Sequence, residues 1–102
     1  MRILVVDREE AMAEIVAAML TADGHFVETA TNGDDALRIY AYYFSEGESF
    51  DFVLTGVMGG INLIEEILKK NPRQRWGICT SRPVLQKPFD RSQLYAFINS
   101  QR

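Results

Sequence analysis

The sequence has a single cysteine, Cys79, and a single histidine, His25. One thiol cannot close an intramolecular disulfide, and no Cys/His cluster exists to hold a structural zinc. Basic residues are also scarce: 11 Lys and Arg against 14 Asp and Glu leave a net charge of −3. That balance argues against a nucleic-acid binder, whose phosphate contacts require a basic face. No apolar run approaches the roughly 18 residues of a membrane span, and Ile3 to Val6 is too short for the core of a signal peptide. The cytoplasm is therefore the expected location, with no membrane partner. What remains is ordinary for a globular chain, 47% apolar and 25% charged over 102 residues. Residues 1–102 are expected to form one domain.

Along the chain, apolar runs alternate with helical periodicity. Ile3 to Val6 is a continuous apolar run, which suits a strand covered on both faces and hence a parallel sheet. Residues 9–22 carry Met12, Ile15, Val16, Met19 and Leu20 at helical spacing, and Asp23-Gly24 ends that helix. Phe26 to Ala30 forms a second strand. Thr31-Asn32-Gly33-Asp34 opens a second helix with acids in its first turn. It runs to about Phe44 on a stripe of Leu37, Tyr40, Ala41 and Phe44. A third strand covers Phe50 to Thr55, and a third helix Ile61 to Lys70, with Ile61, Ile64, Ile67 and Leu68 facing inward. Trp76 to Thr80 makes a fourth strand and Val84 to Gln86 a short fifth. In the last helix Asp90 caps, Gln93 completes a capping box, and Leu94, Phe97 and Ile98 form the buried stripe. The pattern predicts an α/β domain with a mainly parallel sheet.

Four segments in register resemble the receiver domain of response regulators. They are Ile3-Leu4-Val5-Val6-Asp7, the stretch from Gly24 to Leu37, Phe50-Asp51-Phe52-Val53-Leu54-Thr55, and Lys87-Pro88-Phe89-Asp90. The resemblance spans nearly the whole chain. It implies a flavodoxin-like sheet of order 2-1-3-4-5, about five strands and four helices, with the site at the carboxyl ends of the strands. Receivers accept a phosphoryl group on an aspartate ending the third strand, and two acids after the first strand share Mg²⁺ with it. By position this chain keeps Asp7, Thr80 and Lys87. Arg8 replaces the second acid (Glu9 follows it), and Gly56 stands at the acceptor position.

Gly56 carries the chief functional expectation. An acyl phosphate needs a carboxylate, and Mg²⁺ needs several hard oxygen ligands. The carried-over pocket of Asp7, Arg8, Gly56, Thr80 and Lys87 keeps one carboxylate with two cations. It is therefore expected to be closed by pairing of Asp7 with Lys87 or Arg8, with no metal, no cofactor and no enzymatic activity. The segment Gly56-Val57-Met58-Gly59-Gly60 is also shorter than the Asp-x-x-Met-Pro-x-x-x-Gly loop of receivers. Between strands four and five, where receivers have a helix, only Ser81, Arg82 and Pro83 stand. Adjacent parallel strands need a crossover of about a dozen residues. Residues 84–87 must then turn back antiparallel, stay outside the sheet, or run on to complete a neighbouring subunit in a domain-swapped dimer.

The missing helix would bare one sheet face near Val84 and Leu85. In the second helix, Ile39, Tyr42 and Tyr43 lie off the expected core stripe, so these five residues form the candidate interface. Blander roles suit the other candidates. Asp7 can cap the following helix, Asp51 starts its strand at the far end from the site, and Cys79 is a small core residue. His25 sits in a loop with no evident partner. Trp76 and the tyrosines suit packing better than base stacking, because basic residues do not interleave with them. Lys69, Lys70, Arg73 and Arg75 complement a helix C-terminus. The sequence therefore reads as a degenerate receiver acting through a protein partner or itself in phosphorelay-type signalling, with output through a partner. The alternative is a sensor of a small anion between Gly56, Thr80 and Lys87.

Overall fold

The computed structural model describes residues 1–56 and 60–79. Four strands and three helices alternate there: β1 (Arg2–Val6), α1 (Glu10–Ala22), β2 (Phe26–Ala30), α2 (Gly33–Ser45), β3 (Phe52–Gly56), α3 (Gly60–Lys70) and β4 (Trp76–Cys79). The strands pair parallel in the order β2-β1-β3-β4. From β1 the chain goes first to one side of the sheet and then, with β3, to the other. The strand order thus reverses between β1 and β3, and in open parallel sheets the carboxyl ends of the strands at such a reversal are where ligands bind. The expected fifth strand, the last helix and the short connection before them lie outside the described residues.

Period-2 alternation explains how β1 tolerates an unbroken apolar run. Ile3 and Val5 pack with Phe52 and Leu54 against Ala13, Val16 and Leu20 of α1. Leu4 and Val6 point the other way, with Val53, onto Ala36 and Tyr40 of α2 and Leu63, Ile64 and Ile67 of α3. Helices on both faces leave β1 and β3 no polar surface to meet, which is the physical reason for the run.

Both helix exits follow one rule. Gly24 and Gly47 have φ of +88° and +74°. The amides of Gly24 and His25 donate to Thr21 and Leu20, closing α1, and those of Gly47 and Glu48 donate to Phe44 and Tyr43, closing α2. Only glycine takes this left-handed turn without steric cost. At the entry to α2, Asn32 Oδ1 accepts from the Asp35 amide at 2.8 Å, a side-chain cap.

Several inward positions differ from the sequence expectation. Ile15 is 53% exposed, and α1 instead turns Ala13 onto the sheet, because a small side chain lets the helix approach closely. In α2 the buried line is Ala36 and Tyr40, while Phe44 is 39% exposed. Ile39 and Tyr43, expected off the core, are half-buried against it. Tyr43 packs edge-on to Phe26 and Phe50, with centroids 5.7 and 5.3 Å away, so the helix is rotated toward β2. Phe50 precedes β3 but is buried in the core. Among the described residues no helix is long and apolar enough to cross a membrane.

Candidate functional site

Asp7 follows β1 at its carboxyl end and is buried, 7% exposed. Its amide donates to the Ala30 carbonyl at 3.0 Å. Its Oδ1 accepts from the Glu9 amide at 2.9 Å. The carboxylate therefore fixes the turn into α1. The cap position itself belongs to Glu9, whose side chain makes no capping bond. Arg8 and Glu9 are exposed.

Gly56 ends β3 on the adjacent strand. A Cβ built there would stand 3.8 Å from Asp7 Oδ2 and 3.9 Å from its Cγ, ordinary contact distances. The topology thus brings Asp7 and Gly56 together, as their positions in the sequence suggest. Gly56 is also in register with Cys79 of β4, after which Thr80 follows. Thr80, Lys87, Val84 and Leu85 lie outside the described residues, as do Val57 to Gly59 and the side chain of Cys79. At the opposite end of the sheet Asp51 is exposed and binds the start of β1, accepting from the Arg2 amide at 2.7 Å.

Asp7 and Gly56 together offer a cation a single carboxylate. Gly56 brings no oxygen beyond its backbone, and one oxygen of Asp7 is already engaged by an amide. Among the described residues no group of three or more Asp, Glu, His or Cys side chains is placed to hold a metal ion. Mg²⁺ takes six oxygens, of which carboxylates usually supply one or two and water or phosphate the rest.

No family model matches the chain. No curated protein matches it either. Solved structures do. A response-regulator receiver-domain protein from Clostridium thermocellum, 26% identical, gives a TM-score of 0.78 over 98% of this chain and 92% of its own. The receiver domain of the hybrid histidine kinase CckA, 25% identical, gives 0.83 over 99% and 98%. The chain has the receiver fold. The Vibrio cholerae chemotaxis protein CheY4 adds a TM-score of 0.82 at 20% identity, over 99% of this chain and 98% of its own. In the receiver fold the end of β3 is the acceptor position that the resemblance assigns to Gly56.

Of the expected interface residues, Ile39, Tyr42 and Tyr43 line a single groove, which runs past β2 between α1 and α2. Tyr42 is 61% exposed, its ring edge-on to that of Tyr43 at 5.1 Å. Tyr43 donates to Glu28 Oε2, and this bond, with some desolvation, raises the phenol above its ordinary value. His25 has a partner after all, since the Met1 amino group donates to its Nδ1 at 2.9 Å.

Sequence reasoning missed a polar cluster under α2. Tyr40, wholly buried, donates to Gln74 Oε1 at 2.7 Å, and Asn71 Nδ2 donates to the same phenol at 3.4 Å. Burial raises the Tyr40 phenol, partly offset by the Asn71 bond. The available signal was a tyrosine on an inward stripe, since a buried hydroxyl needs a partner.

Proposed function

We propose that this chain is a receiver-type module of two-component, phosphorelay-type signalling that works through protein contacts and takes no phosphoryl group at the receiver site. One observation carries the reading: Gly56 occupies the end of β3 directly beside Asp7, where phosphotransfer would require a carboxylate. The reading extends to a cation, Lys87 or Arg8, compensating the buried Asp7 carboxylate, because a buried charge needs pairing. It extends also to self-association through exchange of strand five and the last helix. Support for that exchange is the three-residue connection Ser81-Arg82-Pro83, too short for a parallel crossover.

The test uses acetyl phosphate and, separately, beryllofluoride, each with Mg²⁺. Intact mass should show no phosphoryl adduct, and the Asp7 and Gly56 amide resonances should stay in place. An acid-stable, base-labile adduct, or saturable shifts of those amides at sub-millimolar Mg²⁺, would overturn the reading. Light scattering over a wide dilution range addresses assembly. A dimer that persists on dilution supports the exchange, and a monomer throughout removes it.

A further inference from the structure

The groove beside β2 has features that the receiver site does not use. Among the described strands β2 is an edge. Phe26 and Ala30 bond toward β1, through Phe26 N to Met1 O and Asp7 N to Ala30 O. Backbone alternation then turns the N–H and C=O of Val27 and Thr29 away from β1, leaving the pattern that an added strand pairs with.

The groove holds about 540 Å³, and its charge is one-sided. Glu10, Glu14, Glu28 and Asp35 line it, against Arg38 alone. Arg38 is already ion-paired with Asp35. Glu10 and Glu14 are exposed, one helical turn apart on α1, and repel each other. A cation lying between them would relieve that repulsion. Opposite, half-buried Ile39 and exposed Tyr42 offer an apolar seat.

We propose, building on the protein-contact reading above, that this groove takes an extended cationic peptide segment of a partner protein, which adds to β2 as a further strand. A second copy of this chain fits poorly. Pairing two β2 strands would bring Glu28 near its own counterpart, and like charges facing each other across strands are destabilising.

The probe is a synthetic peptide of about six residues, the usual strand length, alternating lysine and valine. Its glutamate–valine counterpart is the control. Binding should weaken as salt rises, and saturating peptide should slow hydrogen exchange of the Val27 and Thr29 amides. Exchanging Glu10→Lys and Glu14→Lys together should weaken binding roughly tenfold. Both residues are exposed, so the variant should still fold, its melting temperature lowered slightly by the cation in the first turn of α1. Unchanged exchange at Val27 and Thr29, equal binding of the glutamate peptide, or full binding by the double variant would each overturn the proposal. The outcome is separable from the phosphoryl test. A chain that accepted phosphoryl yet bound this peptide would lose the earlier reading and keep this one.

Discussion

The hydroxyl of Tyr40 donates to Oε1 of Gln74 across 2.7 Å, tying the middle of α2 to the segment that leads into β4. Both residues are buried, at 0% and 6% exposure. The other end of the Gln74 amide is also used, with Nε2 donating to the Arg75 carbonyl at 3.0 Å. Tyr40→Phe would leave Gln74 Oε1 buried without its donor. The expected cost is about 1–3 kcal/mol, read from urea unfolding. Adding Gln74→Leu should cost much less than its effect in the wild-type background, because the orphaned acceptor goes with it. Strict additivity of the two changes would show that the bond is not coupled.

Alkaline pH should loosen this fold through its tyrosines. Burial raises the Tyr40 phenol, and the bond to Glu28 raises that of Tyr43, both above the ordinary value of 10.0. The folded state therefore holds these protons more tightly than the unfolded chain. That stabilisation is fully present below pH 10 and is lost as pH rises through the folded-state values. Melting curves above about pH 10 should show the wild type losing stability more steeply than Tyr40→Phe. Parallel curves for the two proteins would contradict the assignment.

Placing a carboxylate at the end of β3 is sterically open, since a Cβ at Gly56 meets Asp7 at ordinary contact distance. Gly56→Asp would set two carboxylates side by side. Without metal, their repulsion should cost on the order of 1 kcal/mol at neutral pH, and less in acid. With a second carboxylate present, Mg²⁺ should raise the melting temperature of the variant by mass action and leave the wild type unchanged. A variant that ignores Mg²⁺ would mean that Arg8 or another cation holds the site closed.

How far the sequence spoke for this fold depended on the kind of signal. The Ile3 to Val6 run announced a strand buried on both faces, and Asp23-Gly24 announced a helix end that the structure closes at Leu20 and Thr21. Asp7 and Gly56 could be placed side by side because the receiver resemblance implied the strand order, and parallel neighbours β1 and β3 bring their carboxyl ends together. Helix rotation was less legible. Helical spacing alone does not say whether Ile15 or Ala13 faces the sheet, since close approach rewards the smaller residue. Tyr43 looks unplaced along α2 because its partners, Phe26, Glu28 and Phe50, come from other segments. The Tyr40–Gln74 bond spans 34 positions and leaves no local trace. The groove depends on α1, β2 and α2 together, so no single stretch reveals it.

Two glycines should respond to alanine with opposite signs. Gly24 has φ +88° and open space around the site of a Cβ. Any cost of Gly24→Ala is thus a backbone cost, about 1–2 kcal/mol for holding an L-residue in the left-handed region. Gly33 also has open space, but its backbone is not left-handed and it begins α2. Gly33→Ala should stabilise by about 0.4–1 kcal/mol, because alanine restricts the unfolded chain without clashing in the fold. Thermal melts of the two single variants check both values. The contrast isolates conformation from packing, since neither added methyl group meets, within 4 Å, an atom of the described residues beyond its own chain neighbours and helix backbone.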